Sequence, residues 1–444
     1  MKENIPTEQK KMGLLDGWAV GTGAMVGSTV FVATGAMSGL AGPAASISFI
    51  LAALVTIVIA LCYCEVCSAF PRSGGAYIYP KEVYGEKGMG LSFVTGLAFY
   101  GGQGLGSAIL ATTCAFYFNW VVEIVFGVSI NTQLFAMGCV LFFGIINMLS
   151  SVLGNAVQKL STFIVVIGLI VFMVWGGVSM DMELITTNFM PNGIGGVLTA
   201  AALCWATFGG WSAIPSMASE FKNPQRDVPW SMISSLVTCG VCFGFLVLVM
   251  NGLLPGEQLA AESAPLAAAA SVFSGKGALL IAFSGIFAAI STLNGLTMSC
   301  SRLVYAMGKE GALPSILGRT LKNGTPWFAM LITMVCQLLI AATGLVNIIL
   351  QMVSFVTAFS WVVTCICMFR MRKEPEKYHP TFRCPLFPVT PIVGIGLAVF
   401  MICQMEKAAI IVGLTWLAFS TVLYFLFTKT PLKKYCKAEN VAEN

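Results

Sequence analysis

Apolar residues fill most of the chain in long runs that are separated by short polar links. A membrane-spanning α-helix needs about 20 consecutive apolar residues, and most of the runs reach that length. The pattern therefore predicts an all-α membrane protein with about twelve spanning helices. They lie at roughly 14–40, 42–69, 89–118, 132–150, 156–179, 195–219, 228–254, 277–307, 326–344, 347–369, 384–403 and 407–428.

The composition supports this assignment. Of the 444 residues, 57% are hydrophobic and only 10% are charged, whereas soluble domains carry roughly 25% charged residues. Such a chain cannot surround itself with a charged shell, so lipid must cover it. The net charge of +5 is explained by basic loops. We therefore expect the lipid bilayer as a partner, and no nucleic acid.

Basic residues indicate the orientation. If the amino terminus is cytoplasmic and the helices alternate, 22 of the 24 lysines and arginines fall in cytoplasmic segments, and only Lys276 and Lys407 do not. Cytoplasmic loops carry such an excess in membrane proteins. The bias predicts a multi-pass protein of the cell (inner) membrane with both termini in the cytoplasm.

Cysteine and histidine give no sign of metal or redox chemistry. The 15 cysteines fall mostly inside apolar runs, where they act as small hydrophobes. The closest cluster, Cys62, Cys64 and Cys67, does not share one helix face, and the single histidine, His379, lies in a charged loop. We expect no metal site, no cofactor and no catalytic residue.

Glycines interrupt two predicted helices. The first contains Gly21, Gly23 and Gly27, and the sixth contains Gly209 and Gly210. These helices cross the membrane in opposite directions, and paired interruptions of this kind are typical of inverted-repeat transporters with a midplane site. Glycine can also permit close helix packing. Polar residues beside both interruptions favour binding; they are Thr22, Ser28, Thr29 and Thr207.

An unwound helix exposes amides, which suit a carboxylate, and carbonyls, which suit an ammonium group. An α-amino acid carries both groups, so the interruptions indicate an amino acid as the substrate. The predicted domain is a single membrane unit. It covers 1–430, with repeats at about 14–179 and 195–369, extra helices at about 384–428, and a cytoplasmic tail at 431–444.

Four segments carry a family resemblance. They are 27–31 (GSTVF), 70–77 (FPRSGGAY) with 82–85 (EVYG), 220–229 (EFKNPQRDVP) and 301–314 (SRLVYAMGKEGALP). In these segments the chain resembles the amino acid–polyamine–organocation (APC) superfamily, over about residues 12–430. The resemblance implies the leucine-transporter-type fold, with a five-plus-five inverted repeat and two further helices.

The resemblance also implies individual roles. Ser28 and nearby amides would receive the carboxylate, and Phe208 or Trp211 would close over the substrate, although core packing is an alternative for both aromatics. The amine would contact backbone around Ala24, Met25, Thr207 and Gly210. The implied substrate-binding set is Thr22, Gly23, Ala24, Met25, Gly27, Ser28, Thr29, Thr207, Phe208, Gly209, Gly210 and Trp211.

Three positions depart from the family patterns. Thr29 stands where the family has glycine, so a side chain faces the expected cradle. Met217 occupies the place of a glutamate found in some arginine-type antiporters, which disfavours a cationic side chain. Val165 occupies the place of a lysine found in some proton-coupled members, which leaves a lysine-based mechanism unsupported.

Ser291, Thr292 and Glu220 are candidates for coupling to a proton or sodium. Hydroxyls at the first two positions can instead bond back to their own helix. Glu220, like Glu65, can form a structural ion pair; Arg72, Lys222 and Arg226 are the candidate partners.

The sequence predicts a secondary transporter, a permease or exchanger, that moves a small or neutral amino acid by alternating access. A polyamine or cationic amino acid antiporter of the same fold is the main alternative, and it requires an acidic residue at the site. A membrane-embedded enzyme is a remote alternative, because one loop histidine and few buried carboxylates offer no catalytic set. A channel is equally remote, because channels tend to repeat a filter around an axis and the sequence shows no such repeat.

Overall fold

The computed structural model describes residues 12–262, 264–274, 277–321, 324–343, 346–403, 405 and 407–429. The described residues form helices and contain no β-strand. The α-helices are α1 (Leu14–Met25), α2 (Ser28–Ala41), α3 (Ala45–Ala69), α4 (Ile78–Tyr84), α5 (Met89–Phe99), α6 (Ala108–Phe126), α7 (Thr132–Leu149), α8 (Ser151–Ser179), α9 (Met182–Thr187), α10 (Gly193–Cys204), α11 (Pro224–Leu253), α12 (Gly256–Ala261), α13 (Pro265–Phe273), α14 (Gly277–Lys309), α15 (Trp327–Thr343), α16 (Val346–Arg372), α17 (Val389–Cys403) and α18 (Lys407–Lys429).

Each of the twelve predicted runs overlaps at least one of these helices. Nine stretches of the described chain are long and apolar enough to cross a membrane, and α15 and α17 are shorter apolar helices. One of the nine, Thr34–Ala69, joins the end of α2 to α3. The prediction of an all-α, multi-pass membrane fold is confirmed.

Both predicted interruptions are present. The first run divides into α1 and α2 because Val26 (φ −78°, ψ 57°) and Gly27 (φ −96°, ψ −165°) leave the helical conformation. After α10, the chain winds into a 3₁₀ stretch, Trp205–Glu220, with a kink at Phe208 (φ −86°, ψ 17°). We call this segment the 3₁₀ stretch. Long 3₁₀ segments are uncommon and often mark a hinge.

A third interruption was not predicted. Between α5 and α6, Tyr100–Leu105 forms a π-helical turn, which we call the π turn. Such turns occur mostly as single insertions in α-helices and frequently lie at functional sites. The third predicted spanning segment therefore also contains irregular backbone, in the form of this π turn.

Helix α1 lies at the centre of the packing. It contacts α8, α11, α14 and the 3₁₀ stretch. α3 packs along α11, and α14 packs along α6 and α8. As a result, all three interruptions lie inside the bundle, where irregular backbone can be satisfied by protein rather than exposed to lipid.

Candidate functional site

A cavity of about 110 Å³ lies where the three interruptions meet. Its described lining consists of small, apolar and uncharged polar residues. These are Ala24, Met25, Gly27, Gly102, Gln103, Gly106, Ile109, Leu110, Thr207, Gly209, Gly210, Thr292, Leu296 and Val353. None of these described lining residues carries a charge.

The two predicted interruptions touch through their backbones. A β-carbon at Gly210 would lie 2.6 Å from the carbonyl oxygen of Ala24, well inside van der Waals contact, so glycine is required there. On the other side of the break, Gly27 precedes α2 without a side-chain cap from the described residues. The Val30 amide donates to the Gly27 carbonyl oxygen (3.2 Å), so the amides that precede it at the start of α2 are the ones that suit an anion.

Half of the predicted substrate set lies on the cavity wall. The six residues are Ala24, Met25, Gly27, Thr207, Gly209 and Gly210. Thr22 and Gly23 are buried beside them in α1 but are not part of the wall. The side chains of Ser28 and Thr29 lie outside the described part of the structure, so the predictions for these two side chains stay predictions.

The two predicted gate aromatics lie in the core. Phe208 is fully buried between Phe49 and Phe243, with ring centroids 6.3 and 5.5 Å away. Trp211 is fully buried against Tyr63 and Trp361 at 5.0 and 5.3 Å. Neither lines the cavity, so the core-packing alternative describes this conformation, and the gate role stays a prediction.

Gln103 lines the cavity and was missed by the sequence reasoning. It lies in the π turn, its residue is only 6% exposed, and it is the one lining side chain with a carboxamide. The available signal was the glycine-rich segment 100–106 (YGGQGLG). This segment has the same pattern as the interruptions of the first and sixth helices: glycines beside a polar residue within an apolar run.

The candidate coupling residues occupy different places. Thr292 lines the cavity, and its hydroxyl donates to the carbonyl oxygens of Gly23 (2.6 Å) and Ala288 (3.0 Å). Back-bonding within the helix is therefore present, together with a bond to the end of α1. Ser291 lies behind the wall, fully buried, in a polar cluster.

The polar cluster joins α1, α8 and α14. The Gln158 amide nitrogen donates to Ser291 Oγ (2.8 Å) and to the Ala19 carbonyl oxygen (3.2 Å). The Thr162 hydroxyl also donates to Ala19 (3.0 Å). Asn294 Nδ2 donates to Gln158 Oε1 (3.0 Å). These side chains are at most 1% exposed, and their bonds fix the position of α1 against α8 and α14.

Two ion pairs lie at one end of the bundle. We call this end the basic side; it carries Asp16, Lys159, Glu220 and Arg302. The Arg302 Nε group pairs with Glu220 Oε1, and Lys159 pairs with Asp16 at 2.9 Å. Both pairs join separate helices. At the same end, the Met12 amide donates to the Glu220 carbonyl oxygen (3.1 Å).

The predicted partners of the two interior glutamates were wrong. Glu220 pairs with Arg302, and the fully buried Glu65 pairs with Arg372, whose Nη2 lies 2.7 Å from Glu65 Oε2. Arg72 instead pairs with Glu82 at 2.9 Å. The true partners lie 82 and 307 positions away in the chain, whereas the predicted ones were sequence neighbours.

Comparison with known proteins identifies the family. Residues 12–428 match the family described as amino acid permease. The branched-chain amino acid permease BcaP of Bacillus subtilis (strain 168) is 26% identical, over 95% of this chain and 93% of that protein. The methylthioribose transporter of the same organism is 27% identical, over 92% and 91%. The chloroplastic cationic amino acid transporter 9 of Arabidopsis thaliana is 33% identical, over 70% and 57%.

These relatives are named for different substrates, so they do not determine which solute this chain carries. The family match nevertheless covers nearly the whole chain, and the described helices form a multi-pass membrane fold. The protein therefore belongs to the amino acid permease family and is a membrane transporter of amino acids, not an enzyme.

Proposed function

We propose that this permease carries a small, neutral α-amino acid by alternating access. The uncharged cavity of about 110 Å³ is the observation that supports the proposal most directly. A cationic side chain entering such a wall would lose its hydration without gaining a counter-charge, which is strongly unfavourable. A zwitterion with a neutral side chain needs partners only for its two charged ends.

Backbone groups at the interruptions supply those partners in this proposal. The substrate carboxylate lies at the start of α2, where the amides after Gly27 are uncapped and the helix dipole is positive. The ammonium group lies at the opposite pole, near the carbonyls that end α1 and near the backbone of Thr207 and Gly210. The close contact between Gly210 and Ala24 keeps these two poles in one cavity.

The lining argues against the polyamine or cationic alternative. Among the described lining residues there is no carboxylate. Glu220 is not part of the wall and is paired with Arg302. Met217, at the position of the antiporter glutamate, is fully buried. A cationic substrate would therefore have no charged partner in this cavity.

We also propose that transport does not depend on sodium. Hard cations bind oxygen ligands through their lone pairs. In the polar cluster, the Gln158 amide already directs its N–H groups at Ser291 Oγ and at the Ala19 carbonyl oxygen. A sodium ion would have to displace this amide, which is held from the other side by Asn294.

Alternating access would move one helix group against another. In this proposal the moving group contains α1, α3, α11 and the 3₁₀ stretch, and the static group contains α8 and α14. The Asp16–Lys159 and Glu220–Arg302 pairs cross between the groups and close the basic side. We assign the basic side to the cytoplasm of the inner membrane, on the strength of the charge pattern. The paired interruptions support two inverted repeats, at about 14–179 and 195–369, and each helix group then contains helices from both repeats.

Reconstitution tests the proposal. The purified protein in liposomes is assayed with labelled alanine, threonine, valine, leucine, lysine and putrescine, for uptake and for exchange against internal substrate. Each assay is repeated with sodium replaced by potassium and with a pH gradient, and protein-free liposomes are the control. We expect transport of neutral amino acids at equal rates in both salts.

The outcomes separate the parts of the proposal. Transport of lysine or putrescine at rates equal to those of neutral amino acids would contradict the neutral-substrate assignment. A requirement for sodium would contradict the role given to Gln158. Failure to transport any neutral amino acid would refute the proposed function as a whole.

A further inference from the structure

Two polar side chains on the cavity wall lack hydrogen-bond partners. Gln103 is 6% exposed and Thr207 is 5% exposed. The Thr207 hydroxyl oxygen is buried and has no hydrogen-bond partner among the described residues. The Gln103 carboxamide lines the cavity, and no hydrogen bond of it to a described residue is found. The third polar lining side chain, Thr292, is different, because its hydroxyl is already bonded to Gly23.

The two unpartnered groups lie on adjoining parts of the wall. Gln103 belongs to the π turn, and Thr207 begins the segment 207–210 of the 3₁₀ stretch. A β-carbon at Gly209 would lie 3.2 Å from Gln103 Nε2, so the carboxamide rests against this segment. The Gln103 carboxamide and the segment that begins at Thr207 therefore border the same part of the cavity.

Leaving such groups unpaired is unfavourable. A buried polar group without a hydrogen bond loses its hydration and gains nothing in return. The remaining side chains of the wall are apolar, including Ile109, Leu110 and Leu296, and cannot supply a bond. A solute in the cavity can supply the bond that these wall residues do not.

We infer that Gln103 and Thr207 select a neutral amino acid whose side chain carries a hydroxyl or a carboxamide. The inference rests on the proposed function and specifies its substrate class. A carboxamide and a hydroxyl each donate and accept hydrogen bonds, so the pair matches a substrate group that does the same. An aliphatic side chain of equal size would leave both groups unpaired.

The expected discrimination is strong because it comes from unpaired groups. A wholly apolar pocket barely distinguishes a methyl group from a hydroxyl, whereas a site built to bond a hydroxyl rejects the analogue that lacks it. Threonine and valine are the best probes, since valine has a methyl group where threonine has its hydroxyl. We expect the wild-type protein to prefer threonine over valine by at least about tenfold.

The test uses competition in the reconstituted protein. Unlabelled threonine, valine, asparagine and leucine compete with labelled threonine in exchange, and the half-inhibitory concentrations are compared. Gln103→Met and Thr207→Val remove the hydrogen-bonding groups at nearly constant volume. Each variant should lower the threonine-to-valine ratio by about tenfold, mainly through weaker threonine binding.

Gln337→Met is the matched control. Gln337 is another buried glutamine near the π turn, but its amide is bonded to Ser107 (2.7 Å), Thr297 (2.9 Å) and the Gly104 carbonyl oxygen (3.2 Å). Its replacement should lower thermal stability and leave the threonine-to-valine ratio unchanged. Thermal unfolding of all variants in detergent distinguishes misfolding from altered selectivity.

Three results would overturn the inference. The wild type could transport neutral amino acids without preferring threonine over valine. Gln103→Met could weaken threonine and valine equally, which would place Gln103 at the shared carboxylate or amine. The Gln337 control could change the ratio as much as Gln103→Met. In each case neutral amino acid transport, and so the proposed function, would still stand.

Discussion

Three buried glutamines show what decides function at the scale of single residues. Gln158 and Gln337 are each held by several protein partners, whereas Gln103 has no side-chain partner among the described residues. All three lie in apolar runs and look alike in the sequence. The hydrogen-bond partners separate a structural amide from one that is available to a substrate.

The role of the Gln158 amide as a hydrogen-bond donor can be tested with Gln158→Glu, which replaces the amide nitrogen with an oxygen. A protonated glutamic acid in Gln158→Glu can donate as the amide does, but the carboxylate would face the Ala19 carbonyl oxygen as a second acceptor. Only the protonated form keeps the donor that the Ala19 carbonyl oxygen needs. Exchange activity of the variant should therefore be highest at low pH and fall as the carboxyl group loses its proton.

Wild-type exchange should vary less over the same pH range, because the amide does not titrate. Initial rates of exchange between about pH 5 and about pH 9 provide the measurement, because exposed Asp, Glu, Lys and Arg side chains keep their charges over this range. A variant whose pH profile matches that of the wild type would contradict the role assigned to Gln158.

The buried ion pair at Glu65 is a second residue-scale test. Glu65 is fully buried and bonded by Arg372 and by the Cys384 amide (2.7 Å). Arg372→Leu leaves this carboxylate buried without its counter-charge, so we expect a loss of about 3 kcal/mol in the free energy of unfolding. Denaturant unfolding in detergent measures it.

The control for that test is Arg72→Leu. The Arg72–Glu82 pair has side chains that are 36% and 25% exposed, so its removal should cost less than about 1 kcal/mol. Equal losses from the two substitutions would show that burial does not set the strength of these pairs.

At the scale of elements, irregular backbone defines the site. The α1–α2 break, the π turn and the 3₁₀ stretch each place non-α-helical residues on one cavity. Two of these were predicted, because glycines occur at corresponding positions of helices that cross in opposite directions. The third was not predicted, because glycines in a single apolar run also serve helix packing.

The contact between interruptions can be tested at Gly210. In Gly210→Ala the new methyl group would press on the Ala24 carbonyl and separate α1 from the 3₁₀ stretch. Since the proposed poles of the site belong to these elements, substrate affinity should fall by at least about tenfold, as misplacement of binding groups commonly causes. Competition for exchange in liposomes measures the affinity.

Gly195→Ala is the matched control. Gly195 lies in α10, and a β-carbon there would meet no described atom within 4 Å. The substrate affinity of Gly195→Ala should equal that of the wild type. If Gly210→Ala also binds normally while remaining folded, the cavity between these elements is not the substrate site.

At the scale of the whole molecule, two helix groups meet around α1. The polar cluster joins α1 to α8 and α14, and two ion pairs join separate helices at the basic side. A backbone hydrogen bond joins two segments at the same end: the Lys222 amide donates to the Met12 carbonyl oxygen (2.9 Å).

Opening of the basic side provides a test at this scale. Arg302→Gln removes the charge that holds Glu220, so the closed conformation loses stability relative to an open one. Amides in residues 12–20 and 218–224 should exchange hydrogen for deuterium several-fold faster than in the wild type. Mass spectrometry of the protein in lipid nanodiscs detects this exchange.

Arg72→Gln is the control, because the Arg72–Glu82 pair joins nearby positions in one segment. It should leave exchange in those residues unchanged. Unaltered exchange in Arg302→Gln would show that the Glu220–Arg302 pair does not hold the basic side closed.

The sequence by itself determined the class of protein, the approximate positions of its helices and two of the three elements around the cavity. It could do so because a helix that spans lipid needs a long apolar run. Glycine and polar residues that interrupt such a run are tolerated only where protein or a cavity surrounds the backbone. Six of the predicted residues line the cavity for this reason: Ala24, Met25, Gly27, Thr207, Gly209 and Gly210.

Only the tertiary structure decided which polar groups are available to a substrate. Phe208 and Trp211 pack in the core, Ser291 is bonded to Gln158, and Glu65 pairs with an arginine 307 positions away. Gln103 emerged as part of the site because no described side chain bonds it. Such partnerships form between helices that are distant in the chain, and the periodicity of a single helix carries no information about them.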